Sequence, residues 1–186
     1  MNRRLGVIVD GDGDFASLKK RFSDGYRILK TDGPRGHAAR IPEIVARAKK
    51  QVGMLKAFKC TRVIVVLDFE DRPVSYEAFL KDVRQAFGGH PFGVPVAVAV
   101  PNKMIENWYL ADIEEISRKK VFIRDRLKQK HYEGKNGKTE IKKCMIHNVA
   151  YSETEHGPQM FAVVRFDVAK VNSRSFSEFL EMMGRN

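Results

Sequence analysis

A three-layer α/β fold around a mostly parallel sheet follows from three observations. Short apolar, β-branched runs alternate along the chain with segments whose apolar residues recur at helical spacing, the pattern of repeated strand–helix–strand units. One run, Val63 to Leu67, is continuously apolar, as a strand covered on both faces must be. Two runs, ending at Val9 and Leu67, are followed at once by clustered carboxylates: Asp10, Asp12 and Asp14 after the first, Asp68, Glu70 and Asp71 after the second. Open α/β sheets hold ligands in crevices outside the carboxyl ends of their strands. Both clusters are therefore expected in one acidic pocket.

The elements can be justified in order. Arg4 to Val9 is short, apolar and β-branched, hence a strand. Phe15, Leu18 and Phe22 stand at helical spacing, which predicts a helix over 15–22, with Asp14 as its cap and Ser23-Asp24-Gly25 as its stop. Tyr26 to Lys30 is a second strand, and Thr31 to Gly36 is dense in turn residues. Pro42 in a first turn opens another helix, whose apolar stripe is Ile44, Val45, Ala48, Val52 and Leu55. Ser75 caps a third helix, Tyr76 to Phe87, ended by Gly88-Gly89, and Val94 to Val100 is the next strand. A helix over Lys103 to Ile116 follows.

Beyond it, Val121 to Lys130 reads as helical, Glu133 to Lys138 as a loop, and Tyr151 to Met183 as helical pieces that close the fold. The chain divides into an α/β domain over 1–116 and a basic, mainly helical region over 117–186 packed on it, either as a separate unit or as a continuation of the same domain.

Composition narrows the function classes. At 43% hydrophobic and 31% charged residues in 186, the chain can bury a real core and is not disordered. No apolar run reaches the roughly 20 residues a membrane helix needs. The first residues lack the apolar core and small-residue cleavage site of an export signal, so the expected location is the cytoplasm. Cys60 and Cys144, the only cysteines, have no metal-ligand spacing, and reduced thiols are expected.

The formal net charge is +11, and the window Ser117 to His147 holds eleven basic against three acidic residues. A cluster of this kind favours a phosphate-backbone partner, nucleic acid first. Arg118, Lys119, Lys120, Arg124, Lys142 and Lys143 are the candidate contacts, joined by Arg35 from the turn that also holds His37 and Arg40.

Three chemistries compete for the first acidic loop. Gly11, Gly13 and Ala16 form G-x-G-x-x-A after a strand, a weak dinucleotide fingerprint. Three aspartates would crowd the positive helix start that a pyrophosphate needs. Asp10-Gly11-Asp12 also fits the D-x-D of haloacid-dehalogenase-like phosphohydrolases, with Asp10 as nucleophile, although Asp14 replaces the usual Thr. The third chemistry is a divalent-metal site acting on phosphodiesters. Hard oxygen ligands suit Mg²⁺ or Mn²⁺, and clustered carboxylates repel one another unless a cation or proton intervenes.

These residues resemble a toprim fold, in which an acid, usually Glu followed by Gly, ends the first strand and a D-x-D pair ends a later one. Asp10-Gly11 and Asp68-Phe69-Glu70 stand in those places. The chain is also similar, over nearly its whole length, to an uncharacterised toprim-like bacterial family related to toprim/OLD-type nucleases. The resemblance rests on Glu106-Asn107-Trp108-Tyr109-Leu110-Ala111-Asp112, on Tyr151-Ser152 through His156-Gly157-Pro158, and on Ser173-Arg174-Ser175-Phe176 through Phe179. It implies a Mg²⁺-dependent nuclease, an effector of antiphage defence, with an AAA-type ATPase as partner by family association. Asp10 for Glu and Glu70 for the second Asp depart from the pattern but keep an acid at each place.

The expected catalytic residues are Asp10, Asp68, Glu70 and His156, and the expected metal ligands are Asp10, Asp68, Glu70, Asp71 and Glu106. His156 is read either as a base or as a histidine hydrogen-bonded in a turn; Trp108 is expected in the core and Asp112 in a structural role. Non-catalytic alternatives are a nucleic-acid-binding module or an adaptor with a degenerate toprim site.

Overall fold

The computed structural model describes residues 4–22, 25–33 and 36–185. Four strands, β1 (Arg4–Val9), β2 (Tyr26–Lys30), β3 (Cys60–Val66) and β4 (Val96–Ala99), form one sheet in the order β2-β1-β3-β4, and every neighbouring pair is parallel. Helices α1 (Asp12–Arg21), α2 (Ile41–Ala57) and α3 (Tyr76–Gly88) make the three crossovers.

The chain steps one way across the sheet from β1 to β2 and the other way from β2 through β3 to β4. Right-handed crossovers then place α1 on one face and α2 and α3 on the other. The two apolar cores have this composition. Val7, Val9, Ile64 and Val66 pack with Leu18 and Phe22 of α1, while Ile8, Val63 and Val65 pack with α2 and α3 residues such as Val52, Leu55, Phe79 and Val83. Alternate residues of each strand thus point to opposite cores. The reversal of strand order lies between β1 and β3, the switch point at which sheets of this kind form a ligand crevice.

After β4 come α4 (Glu106–Leu110), α5 (Ile113–Lys119), α6 (Gly137–Cys144), α7 (His156–Phe161), α8 (Phe166–Asn172) and α9 (Arg174–Met182). They complete the layer that α1 begins. Trp108 is fully buried, stacks on Phe179 at 4.7 Å between ring centroids and donates its indole N–H to Ser175 Oγ at 3.0 Å. Phe161, Phe176 and Phe179 belong to the same core as Leu5, Val7 and Val9, so that core draws on both sides of position 116.

Several expected boundaries shift. α1 starts at Asp12 rather than Phe15, because the Asp14 carboxylate reaches back to the Gly11 N–H at 3.0 Å and closes the helix start there. The helix expected over 103–116 is broken into α4 and α5 around Asp112, which turns away from helical geometry. Its buried carboxylate accepts two hydrogen bonds from the Arg165 guanidinium and one from the Arg165 N–H. Val121 to Lys130 is not helical; Ile123 instead bridges to Met145. Part of the loop expected over 133–138 begins α6, capped by Asn136. Ser23 and Asp24, expected to stop α1, lie outside the described residues. Cys60 and Cys144 are both buried, and among the described residues no helix is long and apolar enough to cross a membrane.

Trp108→Ala removes the largest buried side chain of the shared core, and a loss of about 3–5 kcal/mol is expected. Urea unfolding followed by far-UV circular dichroism measures it, since the variant has no tryptophan left to report.

Candidate active site at the carboxyl edge of the sheet

The polypeptide delivers five carboxylates to the ends of three adjacent strands. Asp10 immediately follows β1, and Asp14 sits in the first turn of α1. Asp68 and Glu70 follow β3, and Glu106 opens α4 just after β4. Each is fixed differently. Asp14 Oδ2 accepts the Gly11 N–H, and Asp68 Oδ1 accepts the Ile105 N–H at 3.0 Å, which ties the end of β3 to the segment after β4. Glu70 adopts left-handed backbone geometry at φ 54°, and its N–H donates to the Lys103 carbonyl at 2.6 Å. Its Oε2 stands 3.9 Å from His37 Nδ1.

Glu106 is 2% exposed. Its Oε1 accepts the Tyr151 hydroxyl at 3.1 Å, while its Oε2 is buried with no hydrogen-bond partner among the described residues. A buried carboxylate oxygen in that condition carries an uncompensated desolvation cost.

Electrostatics bind the five into one group. Burial first, then the charges of Asp14, Glu106, Glu70 and Asp10, push the Asp68 carboxyl well above its ordinary range. Burial, with Asp10 and Glu153 adding to it, raises Asp14 to about 6, against the lowering influence of the Gly11 hydrogen bond and Lys138. Burial and the Asp14 charge raise Glu106 to about 7. Burial and the Glu106 charge also drive the Tyr151 hydroxyl upward, so it stays a donor. Two cations stand at the margins. Lys138 pairs with Glu153 at 2.7 Å. Arg72 donates to the carbonyls of Gly36, His37 and Ala39 and lies within reach of the Glu70 and Asp10 charges.

The structure therefore brings together Asp10, Asp68, Glu70 and Glu106, and with them Asp14, which the sequence offered both as a helix cap and as a member of the acidic cluster. Asp14 is both, for the carboxylate that closes the helix start also acts by its charge on Asp68 and Glu106. Asp71 does not join; it is exposed and pairs with Lys103 at 2.7 Å, which holds its carboxyl below the usual range. Asp12, the second acid of the D-x-D reading, is likewise exposed and pairs with Lys30. The Gly11 N–H that a bound pyrophosphate would need is already taken by Asp14.

His156 is buried. Its Nδ1 accepts the Ser152 N–H at 3.0 Å, and its ring meets Phe122 at 4.6 Å between centroids, edge to face. These contacts match the reading of His156 as a histidine hydrogen-bonded in a turn. The turn it holds carries Tyr151 to Glu106. Sequence reasoning missed Tyr151, Lys138 and Glu153 as neighbours of the acids. The Tyr–Glu contact spans 45 positions, and no local spacing signals it.

All five carboxylates offer hard oxygen donors of the kind Mg²⁺ or Mn²⁺ accepts, and the unpartnered Glu106 oxygen is a site such an ion would satisfy. As the side chains stand, no three Asp, Glu, His or Cys groups among the described residues converge closely enough to hold one ion. The donor chemistry is of the kind a divalent cation takes, but the described side chains are not converged on one ion.

The basic residues lie elsewhere. Lys119 and Lys120, with Arg118, line a hollow of about 410 Å³ together with Val121, Ile123 and Ile146. The charge of Lys20, on α1, adds to burial in holding Lys120 below the usual lysine range. Arg118 is engaged by Glu115, Lys143 by Glu140, and the Arg124 guanidinium by the Lys143 carbonyl. Lys142 is exposed on α6, and Arg35 lies outside the described residues. Comparison with protein-family models, curated proteins and solved structures gives no match to this chain.

The raised carboxyls fix the sign of a pH dependence. A folded-state pKa above the ordinary 3.8 of Asp14 or 4.5 of Glu106 means that the folded protein binds the proton more tightly. The stability contributed is full below those ordinary values and is lost as pH rises through about 6 and about 7. Groups with lowered values, such as Asp32 at about 2, act oppositely but complete their change at lower pH. In chelator, unfolding free energy is expected to fall between about pH 5 and about pH 8, and to fall less in Asp68→Asn. An undiminished fall in that variant contradicts a shared pocket.

Proposed function

We propose that the protein is a Mg²⁺- or Mn²⁺-dependent nuclease acting on nucleic-acid phosphodiesters at this pocket. One observation carries the reading: five carboxylates from the ends of β1, β3 and β4 crowd at the switch point, and a buried Glu106 oxygen there has no hydrogen-bond partner among the described residues. Like charges brought this close favour a cation that offsets them. Asp10, Asp68, Glu70 and Glu106 would hold the ion, with Asp14 beside them. When bound, a divalent ion supplies charge neutralisation at the phosphodiester and lowers the pKa of a water molecule.

The residues themselves do the rest. Glu106 is buried, and its Oε2, without a hydrogen-bond partner among the described residues, is the oxygen it would offer the ion. Tyr151 fixes its other oxygen. Asp68 joins the β3 end to the segment after β4, keeping two strand tips in register.

The positive surface fits the same substrate. Lys120 and Lys20 adjoin each other, and Lys20 lies about 12 Å along α1 from Asp12, at the helix end that also carries Asp14. That is roughly three or four steps of a nucleic-acid strand at 3.4 Å each. The toprim-like resemblance supports this reading, and the antiphage setting, the cytoplasmic location and an AAA-type ATPase partner come with it as parts of the same proposal.

Purified protein with DNA or RNA and Mg²⁺ or Mn²⁺ is expected to cleave. Asp68→Ala is expected to lose about a hundredfold or more of that rate. A small phosphomonoester in the same panel tests phosphohydrolase chemistry.

A second reading, a non-catalytic nucleic-acid-binding module, is favoured by the lack of three converged ligands among the described residues. It expects salt-sensitive binding without cleavage. In either case Lys119→Ala with Lys120→Ala should flatten the slope of log affinity against log salt by roughly 1.5, if both lysines meet phosphates. An unchanged slope would remove that surface from the interface.

A further inference from the structure

Lys138 comes from the most basic stretch of the chain, yet it stands at the acidic pocket. Its position is set by contacts on either side. Gly137, the first residue of α6, sits so tightly on α4 that a Cβ there would lie 2.6 Å from Glu106 Cβ. The Lys138 N–H rests on Met104 Sδ at 3.4 Å. Its ammonium is held by Glu153 at 2.7 Å, and Glu153 packs its own Cβ against Gly13, between Asp12 and Asp14. Two close backbone approaches, at Gly137 and Gly13, thus bracket the Lys138–Glu153 pair over the carboxylates. The side chain of Lys138 is 36% exposed, so it sits at the rim rather than in the floor. Burial works against its ammonium form, and the Glu153 hydrogen bond together with the charges of Glu106, Glu153 and Asp68 outweighs it.

We propose that Lys138, tethered by Glu153, is the resident counter-cation of the carboxylate pocket and the residue that limits its affinity for a divalent ion. The inference rests on the cation-pocket reading above and goes beyond it by assigning a brake to that site. With no ion present, Lys138 offsets part of the mutual repulsion of Asp14, Asp68 and Glu106. An entering divalent ion is repelled by the ammonium and must also replace the attraction the acids already have for it. The pocket is therefore tuned to bind weakly, and Lys138 is a positioning residue acting through the acids.

The test measures Mn²⁺ alone, by calorimetry and by the ion's paramagnetic resonance signal, on full-length protein without substrate. Lys138→Met is expected to bind Mn²⁺ about tenfold tighter than wild type, whereas Lys138→Arg stays within about twofold. Lys142→Met, exposed on the same helix, removes the same net charge and is also expected to stay within about twofold. Far-UV circular dichroism verifies that each variant is folded.

Unchanged or weaker binding in Lys138→Met overturns the proposal, as does an equal gain in Lys142→Met, which would make the effect one of net charge. Absence of Mn²⁺ binding in both wild type and Lys138→Met also overturns it. The nuclease assay is read separately. Tighter Mn²⁺ binding without cleavage leaves the counter-cation standing and removes the enzyme. Cleavage without the affinity change does the reverse.

Discussion

Carboxylates repel each other, and this sheet brings five of them to neighbouring strand ends. The repulsion is stronger there than at an open surface because burial removes the water that would screen it. The fold answers in several ways. Asp14 and Asp68 each accept a backbone N–H, which spreads their charge onto the main chain. Tyr151 donates to Glu106. Lys138 and Arg72 stand at the margins. What these contacts leave uncompensated appears as carboxyl groups that hold protons toward neutrality. Packing alone gains nothing from such an arrangement, which is the ground for proposing a site there.

The C-terminal helices are part of that site as well as part of the core. Arg165 binds the buried Asp112 and so fixes the break between α4 and α5. That break leaves α4 short, with Glu106 at its start facing the strand ends. Trp108, two residues along and so on the opposite side, is locked by Phe179 and Ser175. The turn around His156 then places Tyr151 against Glu106. Three sequence blocks that look unrelated in the linear chain are thus one structural unit, and its product is the position of a single carboxylate.

Strands β1 and β2, the crossover helices and the apolar faces were legible because their signals are local. Ile44, Val45, Ala48, Val52 and Leu55 stand on one stripe of α2 whatever else the chain does, and all are buried. The sequence also placed Asp10 and Asp68 at strand ends. It misread Val121 to Lys130, where helix-forming lysines and arginines outweigh the fact that Ile123 has a distant partner in Met145. It grouped Asp71 with the pocket because one position along a loop cannot reveal that Lys103 draws the side chain outward. It also read the basic window as one surface, yet Lys138 departs from it to the acids because α6 packs through Gly137 on Glu106.

Local patterning by itself determined the α/β class, the parallel order of elements and the residue types at the strand tips, since apolar periodicity and turn chemistry act over a few residues. Only the tertiary structure decided which charges meet. Coulomb interaction depends on distance and on burial, and both are settled by packing between elements far apart in the chain. Tyr151 and Glu106, or Lys138 and Glu153, become neighbours through that packing and through nothing in their immediate sequence.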